Sequence, residues 1–117
     1  MAKPSIQTKR VYDPPASNEG LRLLVMRYWP RGVKKERIDR WVREVSPSPG
    51  LIKKLKSGRL SWKEFEKAYF KEMKEETAAS NVRELRALAQ EGPITLFCGC
   101  AEEARCHRGL LKRLVAR

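Results

Sequence analysis

Residues 92–108 read Gly-Pro-Ile-Thr-Leu-Phe-Cys-Gly-Cys-Ala-Glu-Glu-Ala-Arg-Cys-His-Arg. The apolar run at 94–98 follows a Gly-Pro pair, a pattern typical of a strand that is covered on both faces of a sheet. A helix is predicted to follow, from about His107 to Val115. All three cysteines and the only histidine of the chain fall within 98–107, at the carboxyl end of a strand, where open α/β sheets bind ligands. We therefore expect any chemistry of this protein at this junction.

The last helix is predicted to have an apolar inner face and a basic outer face. The inward residues are Leu110, Leu111, Leu114 and Val115. The outward residues are Arg108, Lys112 and Arg113. The start of a helix presents backbone N–H groups and the positive end of a dipole. Arg105, Arg108 and these amides are therefore predicted to hold an anion such as a phosphate.

Two further strands are predicted near the amino terminus. Residues 6–11 alternate between polar and apolar, and residues 21–25 form a compact apolar run. The turn-rich segment 12–20 between them is too short for a helical crossover, which favours an antiparallel connection.

Four helices are predicted between these strands and the last strand. The first is indicated by four apolar residues at helical spacing: Ile38, Trp41, Val42 and Val45. Residues 51–56 predict a short second helix. Ser61-Trp-Lys-Glu64 is a capping box that begins a third helix through Met73. Asn81 is predicted to cap a fourth, which Gly92 ends in a left-handed conformation.

These elements predict an α/β fold in a single domain, 1–117, with a small mixed sheet of about three or more strands packed against helices. The length of 117 residues suits one domain. No apolar run approaches the length that spans a bilayer, so we expect a cytoplasmic protein with no membrane partner. Three cysteines cannot all pair within one chain, which argues against a secreted disulfide scaffold. No cofactor is expected.

The charge of the chain is strongly positive, with 26 Lys and Arg against 14 Asp and Glu, a net charge of +12. Such a charge attracts polyanions, so weak, salt-dependent binding of nucleic acid is one expectation. The alternative is a heat-adapted protein whose charges form surface ion pairs.

Several motifs spread over nearly the whole chain carry a resemblance. They are Lys9-Arg-Val-Tyr-Asp13, Gly20-Leu-Arg-Leu-Leu-Val25, Arg27-Tyr-Trp-Pro-Arg-Gly32, Trp41 with Glu44, Ser46-Pro-Ser-Pro49, and Phe65 with Tyr69. Together they resemble the YeaO-like family of domain-of-unknown-function proteins. Residues 98–108 are similar to the Cys, Glu and Cys-His-Arg pattern of the wider superfamily. The resemblance implies a compact α/β fold and leaves the reaction open. Met26 stands where the family usually has an aspartate, so no acid–base role is assigned there.

The motif Arg27-Tyr-Trp-Pro-Arg-Gly32 predicts a rigid turn with two arginines. Trp29 precedes a proline and Gly32 permits an unusual backbone angle, so Arg27 and Arg31 are placed to bind a carboxylate or phosphate. The alternative is structural: Trp29 packs in the core while the arginines pair with Glu44, Glu102 or Glu103.

Three interpretations of the cysteine segment stay open. Residues 100–105 have the spacing of a rhodanese loop, but Glu102 and Glu103 would repel an anion and disfavour a thiolate. Four residues have the donor types of a zinc site, although adjacent ligands are expected to be strained: Cys98, Cys100, Cys106 and His107. The third interpretation is packing, with Cys98 or Cys100 available for a disulfide to Cys106.

Two functions follow from these residues. The first is an enzyme that acts on a nucleotide or another phosphorylated anion, bound between 27–32 and 98–108. In it, Glu102 or His107 is the general acid–base group. The anion is bound by Arg27, Arg31 and Arg108, and the supporting residues are Trp29, Gly32, Cys98 and Cys106. The second is a basic module that binds nucleic acid and performs no chemistry.

Overall fold

A computed structural model of the protein describes residues 5–99 and 106–116. Within these ranges the chain forms four strands and four α-helices. The strands are β1 (Ile6–Arg10), β2 (Leu21–Leu24), β3 (Arg40–Trp41) and β4 (Ile94–Cys98). The helices are α1 (Pro49–Lys56), α2 (Trp62–Glu72), α3 (Glu76–Glu91) and α4 (His107–Val115). The α/β class expected from the sequence is confirmed, and β4 and α4 lie where they were predicted.

The sheet has the order β1-β4-β2-β3, and its three described pairings are all parallel. Ile94 of β4 stands opposite Ile6 of β1 and Leu21 of β2. The predicted antiparallel connection between β1 and β2, and with it the mixed sheet, is wrong. β4 lies between these two strands, so segment 12–20 joins strands that are not neighbours.

The entry into β2 depends on a close approach of two backbones. Gly20 has φ of +64°, and a Cβ at this position would lie 2.1 Å from the carbonyl oxygen of Pro93. The next amide, Leu21 N–H, donates to that same oxygen over 3.0 Å. Any side chain at position 20 would therefore separate β2 from the start of β4.

The helix predicted from Ile38, Trp41, Val42 and Val45 is wrong. This segment forms β3 between two short 3-10 turns, Lys35–Arg37 and Arg43–Val45. The edge of β2 supplies hydrogen bonds that a helix would lose, because the Asp39 amide donates to the Arg22 carbonyl and the Val42 amide to the Leu24 carbonyl. Val42 and Val45 are buried nevertheless, so the apolar pattern reflects burial rather than a helix.

The helix ends agree with the sequence in part. The capping box of Ser61 and Glu64 is present at the start of α2. The predicted cap at Asn81 is wrong, because α3 begins at Glu76 and the Asn81 side chain donates to the Thr77 carbonyl inside the helix. Gly92 ends α3 with φ of 176°, which is extended rather than left-handed.

Two apolar clusters lie on opposite faces of the sheet. Leu23 and Leu96 belong to the larger cluster, which also takes the buried apolar residues of all four helices. Leu24 and Phe97 belong to the smaller cluster, which is covered by side chains from segment 26–41. Successive strand residues face opposite ways, so β4 contributes to both.

No helix in the described ranges combines the length and the apolar character that a bilayer crossing requires.

A buried carboxylate fastens segment 12–20 to its surroundings. Glu19 is 3% exposed and accepts hydrogen bonds from Lys9 over 2.6 Å and from Arg37 over 2.7 Å. The Glu19 carbonyl also accepts from the Thr95 hydroxyl in β4. The Arg37 guanidinium, followed by Lys9, lowers the pKa of the Glu19 carboxyl to about 2 against the opposing effect of burial.

We predict that this carboxylate makes the fold sensitive to acid. Its folded-state pKa lies below the ordinary 4.5, so the stabilisation is complete above pH 4.5 and is lost as the pH falls towards 2. Glu19→Gln should lower the free energy of unfolding at pH 7 by about 3 kcal/mol, because two cations keep no counter-charge. It should also flatten the stability profile between pH 4.5 and 2. Urea unfolding across this pH range measures both effects.

The control is Glu66→Gln, which removes the exposed ion pair with Arg113. Exposed pairs contribute about 0 to 1 kcal/mol, so this variant should follow the wild type. Equal losses in the two variants would contradict a special role for Glu19.

Candidate functional site

A cavity of about 230 Å³ opens at the carboxyl edge of the sheet. Its walls come from the segment after β2, the side of α1, the end of β4 and the start of α4. Six of its lining residues carry polar or reactive groups: Arg27, Tyr28, Lys56, Cys98, Cys106 and His107. Ligands of parallel α/β sheets bind at this edge.

The end of β4 places Cys98 in the lining of the cavity. Together, Cys98, Cys106 and His107 form the part of the lining that is called the floor below. The Val25 amide donates to the Phe97 carbonyl and the Val11 amide donates to the Cys98 carbonyl. The backbone around Cys98 is thereby held from both neighbouring strands. The side chain is 3% exposed.

The start of α4 delivers Cys106 and His107 to the same floor. Cys106 is the N-cap residue with an extended backbone, and His107 is the first helical residue. His107 Nε2 donates to the carbonyl of Val25 at the end of β2. In a neutral imidazole this hydrogen bond leaves Nδ1 as the nitrogen with a lone pair, and Nδ1 lies 3.9 Å from Cys106 Sγ. The ligand atoms of Cys98, Cys106 and His107 all lie within 4.8 Å of one another.

Tyr69 supports this floor from α2. Its ring meets the His107 ring edge-on with centroids 5.9 Å apart, and its hydroxyl donates to the Val45 carbonyl over 2.7 Å. Burial raises the pKa of the Tyr69 hydroxyl well above its ordinary value. The hydroxyl therefore stays protonated and keeps its role as donor.

Arg108 does not face outward as the helical pattern predicted. It is 3% exposed, and its Nη1 lies 3.7 Å from Cys106 Sγ. The guanidinium and the start of α4 therefore both lie beside this sulfur. The structure thus places the Arg108 guanidinium beside Cys106. Binding of an anion by Arg108 stays a prediction.

Arg27 lines the cavity and also holds its wall together. Its guanidinium donates to the carbonyls of Ser46 over 3.1 Å and of Pro47 over 3.2 and 3.3 Å. These bonds fix the segment that precedes α1. In the described ranges, Arg27 thus donates to backbone oxygens rather than to Glu44.

Three residues of the Arg27-Tyr-Trp-Pro-Arg-Gly32 motif lie away from the cavity: Trp29, Arg31 and Gly32. Trp29 packs edge-on against Trp41 with centroids 5.5 Å apart and donates to the Val33 carbonyl. Arg31 is exposed, and its carbonyl accepts from the Tyr12 hydroxyl. Gly32 has φ of +79°, the left-handed conformation that the motif predicted.

Glu102 lies outside the described residues, as do the rhodanese-like spacing at 100–105 and the expected ligand Cys100. The structure therefore brings together four of the residues singled out in the sequence: Arg27, Cys98, Cys106 and His107. Sequence reasoning missed Lys56 and Tyr28. Tyr28 could have been found, because it lies inside the motif that was predicted to contribute to the site. Lys56 could not, because no feature of the sequence indicates that α1 lies beside the site.

Residues 6–117 match the family model DUF488-N3a, described as "Active DUF488-N3 subclade". The chain belongs to the DUF488-N3a family. It is 33% identical over 105 residues to uncharacterized protein YeaO of Escherichia coli (strain K12), covering 88% of this chain and 90% of that protein. This DUF488-N3a chain is also 29% identical over 112 residues to uncharacterized protein Rv3073c of Mycobacterium tuberculosis (strain ATCC 25618 / H37Rv), covering 94% and 92%. No solved structure matches it significantly. The YeaO-like resemblance is confirmed.

The site of this DUF488-N3a domain joins two kinds of chemistry. Its floor holds two thiols and an imidazole, which donate electron pairs to a proton, an electrophile or a metal ion. Its wall holds the cations Arg27 and Lys56, which attract an anion. Their common cavity allows one small molecule to meet both groups.

We predict that the two arginines of the motif differ sharply in their effect on stability. Arg27→Met should lower the free energy of unfolding by about 2 kcal/mol, because the Ser46 and Pro47 carbonyls lose charged donors. Arg31→Met removes the same charge from an exposed position and should change it by less than about 0.5 kcal/mol. Urea unfolding of both variants at pH 7 makes the comparison. Similar values would mean that the Arg27 hydrogen bonds do not hold the wall.

Proposed function

We propose that this DUF488-N3a protein is an enzyme that acts on a small phosphorylated compound, such as a nucleotide, in the cavity at the carboxyl edge of the sheet. One observation carries the proposal: Arg27 and Lys56 line the same cavity as Cys98, Cys106 and His107. The family description includes the word "active" and names no reaction.

The cationic wall suits a phosphate group. Lys56 is exposed, ends α1 and lines the cavity, so its ammonium group can meet a phosphate there without a large desolvation cost. No acidic residue occupies the first turn of α4, so its positive end keeps its attraction for an anion. Arg27 adds a guanidinium beside Tyr28, whose two-thirds exposed ring offers a face on which a nucleobase can stack.

The size of the cavity limits what enters it. About 230 Å³ is less than the usual volume of a pocket for a drug-sized ligand. A phosphate with a sugar fits such a volume, and the base of a nucleotide would then lie at the mouth. Tyr28 is among the residues that line the cavity.

The proposed reacting groups are His107 and Glu102. His107 lines the cavity, and its Nε2 bond to Val25 makes Nδ1 the nitrogen that can act. Glu102 is proposed from the sequence alone. Of the three residues predicted to bind the anion, Arg27 has support from its position, Arg31 does not line this cavity, and Arg108 rests on the sequence pattern.

We predict that removing one lysine of α1 weakens phosphate binding. Lys56→Met should raise the dissociation constant for adenosine 5′-monophosphate, ribose 5-phosphate or inorganic phosphate by roughly tenfold, as expected for the loss of about 1.5 kcal/mol from one charged hydrogen bond. Lys53→Met is the matched control, because Lys53 is exposed on the same helix and does not line the cavity. Isothermal titration calorimetry measures both variants.

Equal weakening by the two variants would indicate general charge attraction and contradict this site. Turnover is followed by liquid chromatography with a panel of nucleotides and sugar phosphates. The absence of both saturable binding and turnover across the panel would contradict the proposed enzyme.

A second candidate function is the binding of single-stranded nucleic acid. The net charge of +12 supports it, as does an open groove of about 930 Å³ beside β3. The polar and aromatic residues that line the groove are Trp29, Trp41, the basic Lys34, Lys35 and Arg40, and the acidic Glu36 and Asp39. Aromatic rings beside cations suit bases and phosphates of a single strand.

We predict that fluorescein-labelled oligothymidylate binds weakly, with an affinity that falls steeply as salt rises. The double variant Lys34→Met/Lys35→Met should weaken binding more than Lys53→Met/Lys54→Met, which removes the same charge from α1. Fluorescence anisotropy over a salt series gives the affinities. No binding at low salt would rule out this function, and equal losses would rule out the groove.

A further inference from the structure

We infer that Cys98, Cys106 and His107 form a binding site for a thiophilic divalent transition metal ion, with Zn²⁺ as the first candidate, and that its fourth coordination position faces the cavity. This inference goes beyond the proposed function, because the three side chains can hold a metal whether or not the cavity binds a phosphorylated compound.

The first support is the spacing of the donor atoms. The two sulfurs and the imidazole nitrogen all lie within 4.8 Å of one another, and Cys106 Sγ is 3.9 Å from His107 Nδ1. Bond lengths of about 2.3 Å to sulfur and about 2.0 Å to nitrogen place neighbouring ligands of a tetrahedral zinc ion roughly 3.5 Å apart. Movements of about an ångström or less would therefore bring all three donors to one ion.

The second support is the orientation of the histidine. A metal-binding histidine characteristically donates its other N–H to a carbonyl or carboxylate, which fixes the tautomer and the ring. His107 Nε2 donates to the Val25 carbonyl, and the Val25 amide in turn donates to Phe97 of β4. The sheet thus holds the imidazole with Nδ1 on the side of Cys106.

The third support is the chemical type of the cluster. Within the described residues, it contains two thiols and an imidazole and no carboxylate. Such donors select zinc, cobalt, iron or copper over magnesium and calcium. Arg108 Nη1 lies 3.7 Å from Cys106 Sγ, so it can donate to a metal-bound thiolate from outside the coordination shell.

The backbone changes conformation between the two adjacent ligands. Cys106 is extended with φ of −132° and ψ of 142°, while His107 begins α4. The ligand atoms of both residues lie within 4.8 Å of the Cys98 sulfur. Among the described residues, three protein ligands leave one position for an exchangeable ligand, as in catalytic zinc sites, and the cavity is lined by the same three residues. His107 then binds metal rather than a proton, and Glu102 becomes the proposed acid–base residue.

Cobalt provides a direct test on the full-length protein. The reduced protein is stripped with a chelator and titrated anaerobically with Co²⁺. We expect one ion per chain, with a sulfur-to-cobalt charge-transfer band and the visible bands of tetrahedral cobalt. Zinc should displace the cobalt and raise the Tm by mass action. Failure of the wild-type protein to bind stoichiometric cobalt would overturn the inference.

Variants identify the ligands. Cys98→Ser, Cys106→Ser and His107→Gln should each weaken metal binding by at least about a hundredfold, since changes outside the coordination shell alone cost about 10- to 100-fold. Circular dichroism verifies that each variant is folded. Unchanged cobalt binding in any folded variant of these three would overturn the ligand set.

Two further variants serve as controls. Cys100→Ser should keep the stoichiometry and the charge-transfer intensity, and a loss of either would overturn the open fourth position. Lys56→Met should bind cobalt as the wild type does. Because Lys56→Met tests phosphate binding and the cysteine variants test metal binding, a failure of one proposal is distinguishable from a failure of the other.

Discussion

The burial of β4 on both faces of the sheet, between two neighbouring strands, is the constraint on which the rest of the structure depends. All five of its residues are buried, and its two edges pair with β1 and β2. A strand in this position must satisfy every backbone group in the sheet and fill space on both faces. Leu96 does so on the helical side and Phe97 on the opposite side. The end of β4 is therefore fixed in position, and so is Cys98, its last residue.

The single polar side chain of β4 extends this constraint to the amino-terminal loop. Thr95 is fully buried and donates to the Glu19 carbonyl, because a buried hydroxyl without a partner is costly. The carboxylate of Glu19 in turn forms ion pairs with Lys9 and Arg37. Gly20 follows at once and touches Pro93. The end of this loop is thus attached both to Pro93, which precedes β4, and to Thr95, the second residue of β4.

Local signals in the sequence predicted those elements whose formation depends on neighbouring residues. The apolar run of β4, the Ser61 capping box and the bounds of α4 are of this kind. The strand order was beyond such signals, because β4 comes last of the four strands and pairs between the first two. β3 was missed for the same reason, because Arg40 pairs with Leu23 of β2, 17 positions earlier. A helical apolar spacing in this segment can also be buried without a helix.

The same difference between neighbouring and distant residues decides which parts of the candidate site could be predicted. Cys98, Cys106 and His107 are close in sequence, so their clustering was visible, whereas the Val25 carbonyl that orients His107 comes from a distant strand. Arg27 and Arg31 belong to the same sequence motif and cannot be distinguished there. The path of the backbone places Arg27, and not Arg31, in the lining of the cavity. The floor groups are fixed by the sheet and by the start of α4, while Lys56 is an exposed residue at a helix end. Substitutions at Lys56 can change the charge of the wall without disturbing the sheet and helix that hold the thiols and the imidazole, so the wall and the floor can vary independently.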